Sequence, residues 1–239
     1  MRLKNEKELD LTIVMPCLNE ENTVGKCIDE AKRFISAHGI AAEIIVVDNG
    51  STDASAEKAR EHGVLVIPEE RRGYGRAIIT GLEHSRGGVI LIGDCDTTYD
   101  FLHLEEFYFP LSRGESDIVI GDRFSGGIEK GAMPALHRLG IPFLSWCGRV
   151  KFGSRVHDFH CGLRGITRDA VRGAEYTCDG MEFATEMIAD AARRGLRTGQ
   201  SPTVLRKCVE PRSSKLNTVK DGFRHLRYIL GSKNKQQTR

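Results

Sequence analysis

Two carboxylates one residue apart stand in Gly93-Asp94-Cys95-Asp96, where an apolar run breaks into a loop. Asp94 and Asp96 at that spacing can share one hard cation, Mg2+ or Mn2+, which favours one or two carboxylates plus phosphate oxygens. A cation held there would neutralise charge on a nucleoside diphosphate leaving group. The D-x-D pattern is also an ordinary loop sequence, so its weight comes from its position. Asp48 ends another apolar run and suits a hydrogen bond to a nucleoside base or ribose, or equally an Asx-turn. Arg71-Arg72-Gly73-Tyr74-Gly75-Arg76-Ala77 opens a helical stretch in which Gly73 and Gly75 let backbone approach a ligand beside arginines. Its spacing is not G-x-G-x-x-G, which disfavours a dinucleotide site. His157-Asp158-Phe159-His160-Cys161 carries metal-ligand residue types, but no second ligand pair accompanies it at a recognisable spacing.

These groups need a scaffold, and the hydrophobic pattern supplies one. Leu11–Met15 reads as a buried strand stopped by Pro16, and Glu43–Val47 as a second stopped by Asp48. Val64–Ile67, Val89–Ile92 and Asp117–Ile120 read as three more. Helical spacing over 21–37, 54–62 and 75–85 separates them. Strands apolar throughout and alternating with amphipathic helices predict an α/β fold with a mostly parallel sheet covered on both faces. Ligands in such sheets bind beyond the carboxyl ends of the strands. Asn19-Glu20, Asp48, Asp94 with Asp96, and Asp122-Arg123 all stand at such ends, so one rim is the expected site.

Four segments occur in an order that carries a resemblance: Met15-Pro16-Cys17-Leu18-Asn19-Glu20, Val46–Asp53, Gly73-Tyr74-Gly75-Arg76-Ala77 and Gly93–Asp96. Together they resemble the GT-A catalytic domain of family 2 glycosyltransferases. Gly121-Asp122-Arg123-Phe124, Asp158–Arg164, Glu182–Met187 and Arg212-Ser213-Ser214-Lys215-Leu216 are similar to the polyprenyl-phosphate (dolichol-phosphate-type) mannosyl- and glucosyltransferases. The resemblance implies a GT-A, Rossmann-like fold over 1–216, followed by a basic amphipathic helix and polar tail over 217–239. It implies an inverting transfer of a hexose from UDP-glucose or GDP-mannose to a polyprenyl phosphate at the cytoplasmic membrane face. By the same resemblance, Pro16, Asn19, Glu20, Asp48, Gly73, Gly75 and Asp94 would bind the nucleotide sugar. Asp94 and Asp96 would hold the metal, Asp96 and Arg123 would be catalytic, and Glu182 and Glu186 would face the sugar. Arg123, Arg138 and Lys215 would hold the acceptor phosphate. The chain departs from the family where Asn49 replaces a second Asp, Thr98 a frequent Gln, and Leu163 a Phe.

The formal charge of +2 is unevenly spread over the 239 residues. Residues 206–239 hold ten of the 35 Lys and Arg against two of the 33 Asp and Glu, a net of +8. The body, 1–205, is left at −6. Within the basic end, Val219, Phe223, Leu226 and Leu230 form one apolar helical stripe, which suits the surface of an anionic leaflet, or else packing on the body. Met133–Phe152 contains Leu136, Leu139, Phe143, Leu144, Trp146 and Val150 but is interrupted by Pro134 and Pro142. It is too short to span a bilayer, and reads either as an interfacial segment or as an ordinary buried helix. No secretory signal is recognisable in 1–10, and seven scattered Cys without a C-x-x-C pair suit reduced thiols. The expected location is therefore cytoplasmic, peripheral on the inner face of the plasma membrane. A soluble family-2-like transferase acting on a small hydroxyl is the alternative, with Asp122 or Glu182 as base. The basic tail alone suggests a nucleic-acid module, but no recognition motif accompanies it, so no nucleic acid is expected as a partner.

Overall fold

Ile13, Val14 and Met15 are consecutive in strand β1 (Leu9–Cys17), and all three are fully buried. Successive strand side chains point to opposite faces, so a strand that hides three in a row is covered on both sides. The computed structural model describes residues 9–208 and 218–232. Within them β1 is joined by β2 (Ala42–Asp48), β3 (Leu65–Pro68), β4 (Gly87–Ile92), β5 (Ile118–Asp122), β6 (Arg164–Thr167) and β7 (Thr198–Pro202). They form one sheet in the order β3-β2-β1-β4-β6-β5-β7. All neighbours are parallel except β6, which runs against both β4 and β5.

The helices between them are α1 (Val24–His38), α2 (Ser55–Glu61), α3 (Tyr74–His84), α4 (Glu105–Ser112) and the short α5 (Arg123–Gly126). After these come α6 (Ala135–Phe152), α7 (Arg168–Arg172), α8 (Phe183–Arg194) and α9 (Thr218–Gly231). α1 buries Val24, Cys27, Ile28, Ala31 and Phe34, the spacing of a single face. α3 lies against the sheet so closely that a Cβ on Gly81 would stand 2.3 Å from Val14 Cγ1.

β1 runs two residues beyond its expected stop. Pro16 stays in the strand because it pairs with Val47 of β2, while the register with β4 ends at Val14 and Ile92. The missing N–H of Pro16 thus disrupts no ladder on the β4 side. β6 and β7 were not expected from the pattern. Because β6 is antiparallel, its first residue, Arg164, meets Ile92 and Ile120 at the carboxyl ends of β4 and β5. The loop 157–163 is thereby delivered to the rim.

Met133–Phe152 is not an ordinary buried helix. It forms α6 with Pro142 inside it, and Leu136, Leu139, Phe143, Trp146 and Val150 face outward, Leu139 being 77% exposed and Trp146 54%. The Phe143 and Trp146 rings stack at 6.3 Å between centroids. Its inner face buries Ser145, Gly148 and Phe152, and the two small residues meet Phe159: Ser145 Oγ accepts from Phe159 N (3.2 Å), and a Cβ on Gly148 would stand 2.5 Å from the Phe159 ring. α9 packs on α6 and α8 through His225 and Ile229, not through the stripe read from the sequence. Phe223 and Leu230 of that stripe are 67% and 70% exposed, and the Val219 side chain lies outside the described residues. No helix among the described residues is long and apolar enough to cross a membrane.

Candidate active site

The winding direction of the sheet reverses at β1, which has β2 on one side and β4 on the other. Ligands of open α/β sheets bind beyond the strand ends at such a point. The loops after β1 and β2 are stitched together there. Asn19, left-handed at φ 51°, donates its backbone N–H to Ser51 Oγ (2.9 Å) and accepts at Oδ1 from Thr52 N (2.8 Å). Glu20 N donates to Ser55 Oγ (2.7 Å), and the Glu20 carboxylate accepts from Thr23 Oγ1 (3.1 Å). Asp48 lies in register with Cys17 and accepts from Ser51 N (3.2 Å). Pro16, Asn19, Glu20 and Asp48 are thus brought to one gap.

Asn49, where the family resemblance leads one to expect Asp, is buried and fully used. Its amide donates to Glu69 O (3.1 Å) and Arg71 O (2.8 Å), and its Oδ1 accepts from Gly73 N (2.8 Å). Glu69 braces the same turn, accepting from Arg71 N (2.8 Å), Arg76 Nε (3.0 Å) and Thr80 Oγ1. Burial works against the charge of Glu69, but the bonds from Thr80 and Arg76 outweigh it and hold its carboxyl at about 2. Asn49→Asp removes two donors and sets a carboxylate against two carbonyl oxygens. The expected cost is about 2–3 kcal/mol, a fall of roughly 5–10 °C in melting temperature for a chain of this size. An unchanged thermal melt would contradict it.

The close approach that Gly73 and Gly75 permit is to the chain's own loop 177–180. A Cβ on Gly73 (φ 149°) would stand 2.1 Å from Asp179 O, and one on Gly75 2.2 Å from Cys178 O. That loop hangs on Glu186, whose buried carboxylate accepts from Thr177 N (3.0 and 3.1 Å), Thr177 Oγ1 (2.8 Å) and Cys178 N (2.9 Å). Glu182, at the start of α8, instead pairs with Arg224 of α9 (2.9 Å). The two glutamates that the sequence places on one helical face are therefore committed to different neighbours.

Asp94 follows β4 and receives the Tyr74 hydroxyl, whose pKa is pushed well above its usual value by burial and then by Asp94. A Cβ on Gly162 would stand 2.4 Å from Asp94 Oδ2, so only glycine leaves room for this carboxylate. Asp96 is buried and accepts at Oδ1 from Thr98 N (3.0 Å) and Thr98 Oγ1 (2.5 Å). Thr98, which stands where a Gln is frequent, therefore shapes the turn. Thr97 between them is left-handed at φ 67°, a strained state for a β-branched residue, and its hydroxyl is buried without a partner among the described residues.

A divalent cation fits this turn. Its donors are hard oxygens, a glycine cradles the Asp94 carboxylate, and the orphaned Thr97 hydroxyl follows Asp96 directly. No group of three or more metal-ligating side chains occurs among the described residues. Two carboxylates would leave the remaining positions of such a cation to diphosphate and water.

At the other end of the rim Asp122 caps α5, accepting from Phe124 N (3.0 Å) and Ser125 N (3.1 Å), and faces His157 Nδ1 (3.3 Å). Arg123 is 7% exposed and forks onto fully buried Asp158, with Nε–Oδ2 2.6 Å and Nη2–Oδ1 2.9 Å. Tyr99 lies between the two ends. Its hydroxyl accepts from Gly162 N (2.9 Å), and its pKa is raised by burial, with Arg123 lowering it and Asp94 raising it further. The run His157–Cys161 does not gather on one point: His157 turns to Asp122, Asp158 to Arg123, and Cys161 to Tyr99. Sequence spacing carried no signal for the Asp158 clamp or for Tyr74 and Tyr99. Arg138 is exposed in the first turn of α6, and Lys215 lies outside the described residues. Residues 206–208 cross the turn at Asp96, with Arg206 N donating to Thr98 O (3.0 Å) and Cys208 Sγ to Asp96 O (3.3 Å).

Known proteins resemble this chain in sequence and in fold. The family model described as glycosyl transferase family 2 matches residues 12–173. The low-salt glycan biosynthesis hexosyltransferase Agl6 of Haloferax volcanii is 38% identical over 92% of this chain and 53% of its own length. The chain thus spans about half the length of that relative. The dolichyl-phosphate hexose transferase of the same organism is 32% identical, with 83% of each chain covered. The solved structure of glucosyl-3-phosphoglycerate synthase from Mycobacterium tuberculosis with Mn2+ and UDP-glucose matches at a TM-score of 0.76 and 22% identity, covering 95% of this chain and 81% of that one. That likeness is one of fold, and the fold is GT-A. With the family model matched over more than half of its length and the two Haloferax enzymes alike over most of it, the chain belongs to glycosyl transferase family 2.

Proposed function

We propose that this glycosyltransferase moves a hexose from a nucleoside diphosphate sugar, UDP-glucose or GDP-mannose, to a polyprenyl phosphate at a membrane surface. The observation that carries the reading is the outward apolar row of α6, Leu136 to Val150, beside exposed Phe223 and Leu230 of α9. The first turn of α6 lies in the electrostatic neighbourhood of Arg123, since burial and then Arg123 lower the pKa of His137. An acceptor with a phosphate head and an apolar tail matches that adjacency. The names of relatives support it: a dolichyl-phosphate hexose transferase, and a dodecaprenyl-phosphate galacturonate synthase from Rhizobium johnstonii that is 31% identical over 66% of this chain.

In this reading Asp94 and Asp96 hold a divalent cation, Mg2+ or Mn2+, which when bound supplies charge neutralisation to the departing diphosphate. An oxygen of the acceptor phosphate attacks the anomeric carbon, the bond from that carbon to the diphosphate breaks, and nucleoside diphosphate leaves with the electron pair. A phosphate monoester is already ionised at neutral pH, so no general base is required. Catalysis rests on holding the two phosphates in place. A small hydroxyl acceptor would need a base, but Asp122 is taken by a helix cap and His157, and Glu182 by Arg224. The test is a screen of both donors, with each metal, against polyprenyl phosphate in detergent. Labelled sugar in the lipid phase supports the reading, and its absence with every pair sinks it.

The membrane surface has its own test. Leu139→Glu combined with Phe143→Glu should lower co-sedimentation with anionic phospholipid vesicles about tenfold or more, because both apolar groups and the attraction of Arg138, Arg149 and Lys151 are opposed. Both positions are exposed, so the melting temperature should hold. Vesicle binding equal to that of the parent chain would exclude the α6 row as the contact.

A further inference from the structure

His160 is a polar side chain that the transfer described above leaves unused. Both ring nitrogens are shielded from solvent and have no hydrogen-bond partner among the described residues, although the residue as a whole keeps some exposed surface. A buried polar group left unmet costs about 1–3 kcal/mol, so two on one ring call for an occupant.

Its surroundings narrow the occupant's chemistry. The His160 backbone N–H donates to Asp158 Oδ1 (3.1 Å), the same oxygen that takes Arg123 Nη2 (2.9 Å). From α9, the His225 ring meets the His160 ring edge-on at 4.3 Å and is itself fixed by Thr185 Oγ1 at 2.8 Å. Burial first, then His225, Arg123, Arg164 and His137 hold the His160 pKa well below its ordinary value, so the ring is neutral at pH 7. A neutral imidazole offers one N–H donor. Arg164 is spent on the carbonyls of Cys161, Ala184 and Phe159, so its charge reaches the His160 ring without its hydrogen bonds. An N–H donor in a field of two buried arginines suits an oxyanion. The ring lies near the place where α6, carrying His137, and α9, carrying His225 and Asp221, come together.

Building on the proposed function, we propose that His160 is a ligand of the acceptor phosphate, its ring N–H completing with Arg123 a phosphate-monoester site under the seam of α6 and α9. The acceptor's head then sits against His160 and its chain leaves along the apolar faces outside.

The full chain labelled with 15N-histidine decides this without turnover. The His160 ring nitrogens are identified by their loss in His160→Gln, and farnesyl phosphate, inorganic phosphate and farnesol are added in turn. Farnesyl phosphate should shift them and farnesol should not. Inorganic phosphate should shift them only at much higher concentration, which separates a lipid headgroup from free phosphate. In the transfer assay His160→Phe should raise KM for polyprenyl phosphate about tenfold or more while kcat and donor KM stay within about twofold. His160→Gln, which keeps an N–H, should recover most of the loss. Ring nitrogens unmoved by farnesyl phosphate, or an unchanged acceptor KM in a His160→Phe protein that melts normally, overturns the proposal while lipid-linked product from the parent chain leaves the function standing. If the parent chain makes no such product, the function falls, and the response to inorganic phosphate alone decides His160.

Discussion

Asp96→Asn is expected to lower sugar transfer about a thousandfold while the protein stays folded. The amide keeps an oxygen where Oδ1 accepts from Thr98 N and Thr98 Oγ1, so the strained turn at Thr97 retains its support. What disappears is the negative charge that would hold a divalent cation against the donor diphosphate. A thousandfold corresponds to about 4 kcal/mol, the scale of losing one directed charge interaction with a developing anion. Release of label from the nucleotide sugar measures rate, and calorimetry of UDP and GDP binding with and without Mn2+ measures the cation's share. Transfer within tenfold of the parent chain would remove Asp96 from the chemistry.

The largest effect on stability should come from Asp158→Asn. Arg123 and Asp158 form a bidentate pair in which the carboxylate is fully buried and the guanidinium nearly so. Removing one charge leaves the other in a medium that solvates it poorly, a cost of about 3–5 kcal/mol. At roughly 2–4 °C per kcal/mol, the melting temperature should fall by about 10 °C. Replacing both together, Arg123→Met with Asp158→Leu, leaves no orphan charge and should recover part of that loss, the His160 and Arg123 backbone N–H groups that Asp158 also receives being left unmet. If Arg123 grips the acceptor phosphate as proposed, the double variant should still transfer nothing. A stable double variant with normal acceptor KM would show that the pair serves the fold alone.

Strands with continuous apolar runs were legible from sequence because burial on both faces writes itself into every position. β1, β2, β4 and β5 are of this kind. β6 was not, because Arg-Gly-Ile-Thr opens on a guanidinium whose burial is compensated by three carbonyls that the pattern does not reveal. β7, Thr-Gly-Gln-Ser-Pro, is a polar edge strand with no hydrophobic signature at all. In the site, the carboxylates at strand ends could be read from position. The fates of Glu182 and Glu186 could not, since both face the same way on a helix and only the packing of loop 177–180 separates them. The stripe of α9 was legible with two directions open, outward or onto the body, and the sequence could not choose between them, for a helix with a polar contact such as His225–Thr185 can dock by the side that looks less apolar.

Ser145 and Gly148 seat α6 directly on Phe159, the neighbour of Asp158, so the helix that meets the outside and the clamp on Arg123 have no loose joint between them. Thermodynamic linkage then makes the two events reciprocal. By whatever factor a surface bearing on α6 changes affinity at Arg123, a ligand at Arg123 changes the affinity of the protein for that surface by the same factor. Under the proposed function, retention at a bilayer would be tied to occupancy, and dwell time there would read out the supply of acceptor.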